Sequence, residues 1–196
     1  MAVSPATETE AKQLAIRCIA VIGAGEQGRA FALRCALAGF LTVLEDVMPA
    51  RLRQAQDTLT ALSGEDVASR LSFALTVEEA VREADLAIDF VPDELESKLE
   101  IFSMIDRMAP PRTILCTPTR ALSIGDLAAC TYRADRCIAI RADGWELQSD
   151  HMQLVPGRAT STDTVSRTEA WLLALGITTE HCVDDHADAP VAATNP

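Results

Sequence analysis

A glycine-rich turn set between two apolar runs constrains this chain more than any other feature. Residues 16–46 begin Ile16-Arg-Cys-Ile-Ala-Val-Ile22, pass through Gly23-Ala24-Gly25-Glu26-Gln27-Gly28, and end at Thr42-Val-Leu-Glu45-Asp46. The order reads as strand, tight turn, amphipathic helix, second strand and acidic residue. Each part has a physical job. Gly23 permits a sharp exit from the strand, Gly25 carries no side chain to hold a phosphate off the backbone, and Gly28 lets the helix pack close to the sheet. The backbone from Gly23 to Gly28 then presents the first N–H groups of the helix to an anion. Asp46 stands at the distance from the first glycine at which a carboxylate accepts the ribose hydroxyls of an adenosine. The pattern predicts a dinucleotide site, the alternative being a tight strand–helix turn with no ligand. The carboxylates of Glu45 and Asp46 would repel a 2′-phosphate, so NAD is expected rather than NADP.

The 196 residues suffice for one domain with a sizeable core. A formal net charge of −12 repels nucleic acid and anionic membranes, so neither is an expected partner. The six cysteines form no C-x-x-C pair, and the three histidines add no zinc spacing, so no metal is expected. Several cysteines sit in apolar runs, where the thiol acts as a small hydrophobe. Residues 2–12 lack the apolar centre of a signal peptide, and no apolar run reaches the length of a membrane span. A reduced, cytoplasmic setting is the expectation.

Residues 1–13 and 184–196 read as flexible tails around one domain at 14–183. Within it, strands are expected at 16–22, 41–45, 71–75, 85–91, 113–116, 137–141 and 177–183. Helices are expected at about 26–38, 49–62, 76–84 and 123–130, with two more marked by Leu95, Leu99, Phe102 and Ile105 and by Val165, Leu172 and Leu175. Such alternation predicts an α/β fold of Rossmann type. Its doubly wound, mainly parallel sheet would carry helices on both faces and a cofactor beyond the carboxyl ends of the strands.

The run Ala87-Ile-Asp-Phe-Val91-Pro92-Asp93-Glu-Leu-Glu-Ser-Lys98-Leu-Glu-Ile-Phe102 resembles the I-E-A-V-P-E-x-L-x-x-K-x-x-x-F element of the 3-hydroxyacyl-CoA dehydrogenases. Thr113-Ile-Leu-Cys-Thr-Pro-Thr-Arg120-Ala-Leu-Ser-Ile124 is similar to that family's T-I-x-A-S-N-T-S-S-L-x-I. The resemblance spans roughly residues 16–183, essentially the NAD-binding domain. It implies that Gly23, Ala24, Gly25, Glu26, Gln27 and Gly28 hold the pyrophosphate and Asp46 the adenosine ribose. Val91, Pro92, Asp93 and Lys98 would lie toward the nicotinamide end.

The same resemblance exposes departures. The family's serine, histidine, asparagine and glutamate of the reaction centre correspond here to Arg120, Arg141, Gly144 and Gln153, and the asparagine of S-N-T-S-S to Pro118. Arginine stays protonated and cannot act as a base. His151 is a lone histidine nearby, and Cys116 and Thr117 have no base beside them in sequence. The run that opens the family's C-terminal helical domain is absent beyond Asp185, and the helical hairpin between the second and third strands is short. Three readings follow: a dehydrogenase completed by a partner, a non-catalytic NAD(H)-sensing or structural module, and an oxidoreductase whose Arg120 and Arg141 clamp an altered anionic substrate. By resemblance the ligands would be NAD(H) and an acyl-CoA or other anionic small molecule of fatty-acid metabolism. Two copies would cover each other's apolar faces as a homodimer.

Overall fold

The computed structural model describes residues 15–62, 64–120, 122–142 and 149–184. Eight strands form one sheet in the order β3-β2-β1-β4-β5-β6-β7-β8. They are β1 (Cys18–Ile22), β2 (Leu41–Glu45), β3 (Leu71–Ala74), β4 (Leu86–Asp89), β5 (Ile114–Pro118), β6 (Cys137–Ala142), β7 (His151–Pro156) and β8 (Thr178–His181). The first six run parallel, β7 pairs antiparallel with β6, and β8 runs parallel to β7. The strand order reverses between β1 and β4, which opens a crevice at their carboxyl ends.

The helices are α1 (Glu26–Leu37), α2 (Pro49–Leu62), α3 (Glu65–Ala68), α4 (Val77–Val81), α5 (Leu95–Met108), α6 (Ile124–Ala128) and α7 (Thr162–Ala174). Alternation along the strands divides the core. Ile19, Val21, Ile88 and Ile140 pack with Phe31 of α1 and Trp171 of α7, whereas Ala20, Ile22, Ala87 and Ala139 pack with Phe102 of α5 and Leu127 of α6. Local chemistry fixes the helix starts: Thr76, Ser123 and Ser161 each accept a backbone N–H from three residues on.

Two elements differ from expectation. The sequence reading assigns no strand to 151–156, yet β7 is there and supplies the antiparallel turn-back of the sheet. Asp184, expected as the first residue of a tail, is instead buried and accepts hydrogen bonds from Ser123 Oγ at 2.7 Å and Gly125 N at 3.2 Å. The remaining tail residues lie outside the described chain.

Candidate functional site

The glycine turn connects β1 to α1. Gly23 has φ +105°, where a Cβ is strained, and a Cβ at Gly28 would stand 1.9 Å from the Gly23 carbonyl oxygen. Both glycines are required by the protein's own packing. Gly25 is different: its φ is −62°, and a Cβ there would meet no protein atom within 4 Å. It sits at the start of α1, where no side chain caps the helix. A glycine that the fold does not need, at an uncapped helix N-terminus, fits a ligand that must approach the backbone.

Gly25 borders two clefts. The first, about 480 Å³, is lined by Glu26, Gln27, Gly28, Val91, Pro92, Asp93, Pro118, Arg120, Ile140 and Ala142, with Arg51 at its edge. The second, about 360 Å³, is bounded by Gly23, Glu45, Asp46, Val47, Arg51, Val77, Val91, Pro92, Ile101 and Met104. They share Gly25, Arg51 and the Phe90–Pro92 segment, which marks where the centre of a two-part ligand would lie. The cleft beside β2 suits the adenosine half and that beside β5 and β6 the nicotinamide half.

Asp46 is nearly buried at the end of β2. Its Oδ2 accepts the Ala24 N–H at 3.0 Å and its Oδ1 the Met48 N–H at 2.8 Å, so it also braces the turn. The Ala24 N–H is thus engaged by Asp46. Arg29 Nη1 donates to the Ala24 carbonyl at 3.2 Å and holds the other side of the turn. Asp93 Oδ2 accepts the Arg120 backbone N–H at 2.9 Å, while its Oδ1 is buried without a hydrogen-bond partner, leaving an acceptor at the wall of the first cleft.

Lys98 borders neither cleft. Its side chain is fully buried, and Nζ donates to Asp89 Oδ1 at 2.7 Å and to Thr117 Oγ1 at 2.8 Å. It ties α5 to β4 and β5 beneath the cleft. Burial pushes the Asp89 carboxyl up, and the Lys98 ammonium and Thr117 hydroxyl pull it back. Removing one partner of such a pair costs about 3–5 kcal/mol. Lys98→Met is therefore expected to lower the melting temperature by roughly 10 °C, and adding Asp89→Leu should recover much of the loss. A Lys98→Met protein melting with the wild type in differential scanning calorimetry would contradict this structural role.

Arg141 leaves β6 between Ile140 and Ala142, both of which border the first cleft, and turns to the other face. Its Nη2 lies 3.6 Å from Asp184 Oδ1, and Nε and Nη2 are buried without hydrogen bonds. Register places Gln153 of β7 directly opposite Arg141, and Gln153 Nε2 donates to Glu180 Oε1 at 3.0 Å. Arg120 lines the first cleft and Arg141 does not, so the two guanidinium groups do not converge as a clamp. Gly144 lies outside the described residues.

His151 is exposed, 3.1 Å from Thr178 Oγ1 and 3.9 Å from Glu180 Oε2, and lines neither cleft. His181 contacts Glu169 at 2.6 Å. Cys116 is buried in β5, and burial pushes its thiol far up, so it is protonated and inert near neutral pH. All six cysteines are free, and no cluster of metal ligands occurs among the described residues. No described helix is long and apolar enough to cross a membrane. Sequence reasoning missed Arg51, which borders both clefts, and the Asp89–Thr117 partners of Lys98. It took Glu45 only as a charge that repels a 2′-phosphate, whereas Glu45 is 2% exposed.

Residues 18–185 match the family described as 3-hydroxyacyl-CoA dehydrogenase, NAD binding domain. A probable 3-hydroxybutyryl-CoA dehydrogenase of Bacillus subtilis is 33% identical over 162 residues, covering 76% of this chain and 56% of that protein. A 3-hydroxybutyryl-CoA dehydrogenase of Bradyrhizobium diazoefficiens is 30% identical over 177 residues, covering 82% and 59%. The chain thus spans little more than half the length of these curated relatives. The crystal structure of (S)-3-hydroxybutyryl-CoA dehydrogenase from Ralstonia eutropha shares the fold, with a TM-score of 0.80 at 24% identity over 87% of this chain and 64% of that one.

Proposed function

Because this chain belongs to the 3-hydroxyacyl-CoA dehydrogenase family and matches its NAD-binding domain, we propose that it holds NAD(H) across the two clefts but has little or none of the family's ordinary activity. When bound, the nicotinamide supplies hydride acceptance and donation; the rest is the work of this chain's own residues. Gly25 and the first turn of α1 receive the pyrophosphate, Asp46 the adenosine ribose, and Asp93 the ribose at the nicotinamide end. Val91 and Pro92 form the ridge between the halves.

The observation that carries the second part of the proposal is Arg141. The resemblance puts the family's histidine at this position and its orienting glutamate at Gln153, and the cross-strand register makes the two residues direct neighbours. Oxidation of a 3-hydroxyl, or its reverse, requires a group that exchanges a proton with the substrate oxygen near neutral pH. A guanidinium beside Asp184 remains charged and cannot do so. Gln153 is committed to Glu180 and carries no charge to steady an imidazolium. These placements favour an NAD(H)-binding module over a hydroxyacyl-CoA dehydrogenase. The reading in which Arg120 and Arg141 clamp an anionic substrate loses support, since their side chains serve different faces.

The nucleotide preference tests the cofactor half of this proposal. NADH is expected to bind more tightly than NADPH, because Asp46 meets free hydroxyls in one and a phosphate in the other. Asp46→Ala should weaken NADH about tenfold or more, in line with a lost hydrogen bond to a charged group, and narrow the preference. Following the ratio of the two affinities by fluorescence titration separates this from general loosening of the turn. Equal wild-type affinities would remove the assignment of Asp46.

A further inference from the structure

Glu45 ends β2 with a side chain that is 2% exposed, and its Oε1 is buried without a hydrogen-bond partner. It belongs to the wall of the second cleft, which Ile22, Val77 and Ile101 also line. An unmatched buried carboxyl oxygen is destabilising, so its presence calls for an explanation. Resting on the assignment of that cleft to the adenosine half of the dinucleotide, we propose that Glu45 reads the adenine base, its carboxyl oxygen accepting the 6-amino group and its hydroxyl donating to the adjacent ring nitrogen N1.

The chemistry of the base matches the chemistry of the acid. Adenine presents a donor beside an acceptor on its edge, and a protonated carboxyl presents an acceptor beside a donor. Asp46 braces the turn and is assigned to the ribose, whereas Glu45 Oε1 is buried in the wall of the same cleft without a hydrogen-bond partner. Burial, and secondly the neighbouring Asp46 carboxylate, push the Glu45 carboxyl up to about 7. The other charged groups lining this cleft are Arg51 of α2 and Glu100 of α5; β1, α4 and the Phe90–Pro92 segment contribute no charge. Neutral Glu45 therefore predominates below about pH 7. The sign follows: adenine recognition strengthens as pH falls through that value and weakens as it rises.

The experiment titrates the full chain by fluorescence with NADH and with reduced nicotinamide 1-deazaadenine dinucleotide at pH 6.5 and 8.5. 1-Deazaadenine keeps the 6-amino donor but has a C–H where adenine has the N1 acceptor, so the hydroxyl of a protonated carboxyl loses its partner while a carboxylate loses nothing. The wild type is expected to favour NADH about tenfold at pH 6.5, with the gap narrowing at pH 8.5. Glu45→Leu should erase the gap, and Glu45→Gln should retain NADH affinity while losing the pH dependence. Equal binding of the two dinucleotides by the wild type at pH 6.5, or a gap that survives in Glu45→Leu, overturns the role of Glu45 while leaving the cofactor assignment intact. Failure to bind either dinucleotide overturns both.

Discussion

Turnover of acetoacetyl-CoA with NADH is expected to fall roughly 100- to 10,000-fold below the ~1–1,000 per second of ordinary enzymes, the range that a positioned acid–base group contributes. The reason is protonic rather than a failure to bind. On the proposed reading, Arg141 stands where the resemblance puts the family's proton-exchanging histidine and offers only a fixed charge, its guanidinium held toward Asp184. The replacement has a structural signature that the double variant Arg141→His with Gln153→Glu exploits. The two positions are cross-strand partners, so a new imidazole and a new carboxylate would meet on one face of the sheet. Only a slight gain over the wild type is expected, because position 141 faces away from the first cleft and Arg120 stands where the resemblance puts the family's serine. A wild-type rate in the ordinary range would mean that another base serves. His151 would then be the first residue to replace, since it stands two positions from Gln153 on the same face and 3.9 Å from Glu180.

The parts of the site legible in the sequence are those set by local spacing. The turn at Gly23–Gly28 and the acidic end of β2 follow from where a strand must stop and a helix must start, and the structure keeps both in place. What stayed hidden depends on contacts across the chain. His151–Pro156 is short, chemically mixed and bounded by proline, so its strand character comes from pairing with β6 rather than from its own pattern. Lys98 reads as a surface lysine or a cofactor contact until Asp89 and Thr117 are brought to it from β4 and β5. Asp184 follows a strand and precedes polar residues, yet Ser123 and Gly125, some sixty positions earlier, bury it. Glu45 is the instructive miss. Both faces of this sheet are covered, so a carboxylate at the end of β2 is turned inward whichever face it takes, and proximity to Asp46 in sequence says nothing of that.

Gly25→Val is expected to reduce NADH affinity by more than 100-fold while leaving the circular dichroism spectrum and melting temperature close to those of the wild type. The contrast among the three glycines makes this a test of ligand binding rather than of folding. At Gly28 a side chain would collide with the Gly23 carbonyl, and at Gly23 the backbone itself resists one, so substitution at either position confounds binding with stability. At Gly25 the conformation suits any residue, and a Cβ meets no protein atom within 4 Å. The branched side chain would occupy the junction of the two clefts, in the space through which a pyrophosphate must pass to reach the N–H groups at the start of α1. Losing several charge-assisted hydrogen bonds, each about 1.5–3 kcal/mol, accounts for the size of the effect. Gly25→Ala should fall between the two. Unchanged NADH affinity in a folded Gly25→Val protein would mean that the dinucleotide does not cross this junction, and the assignment of the clefts would have to be abandoned.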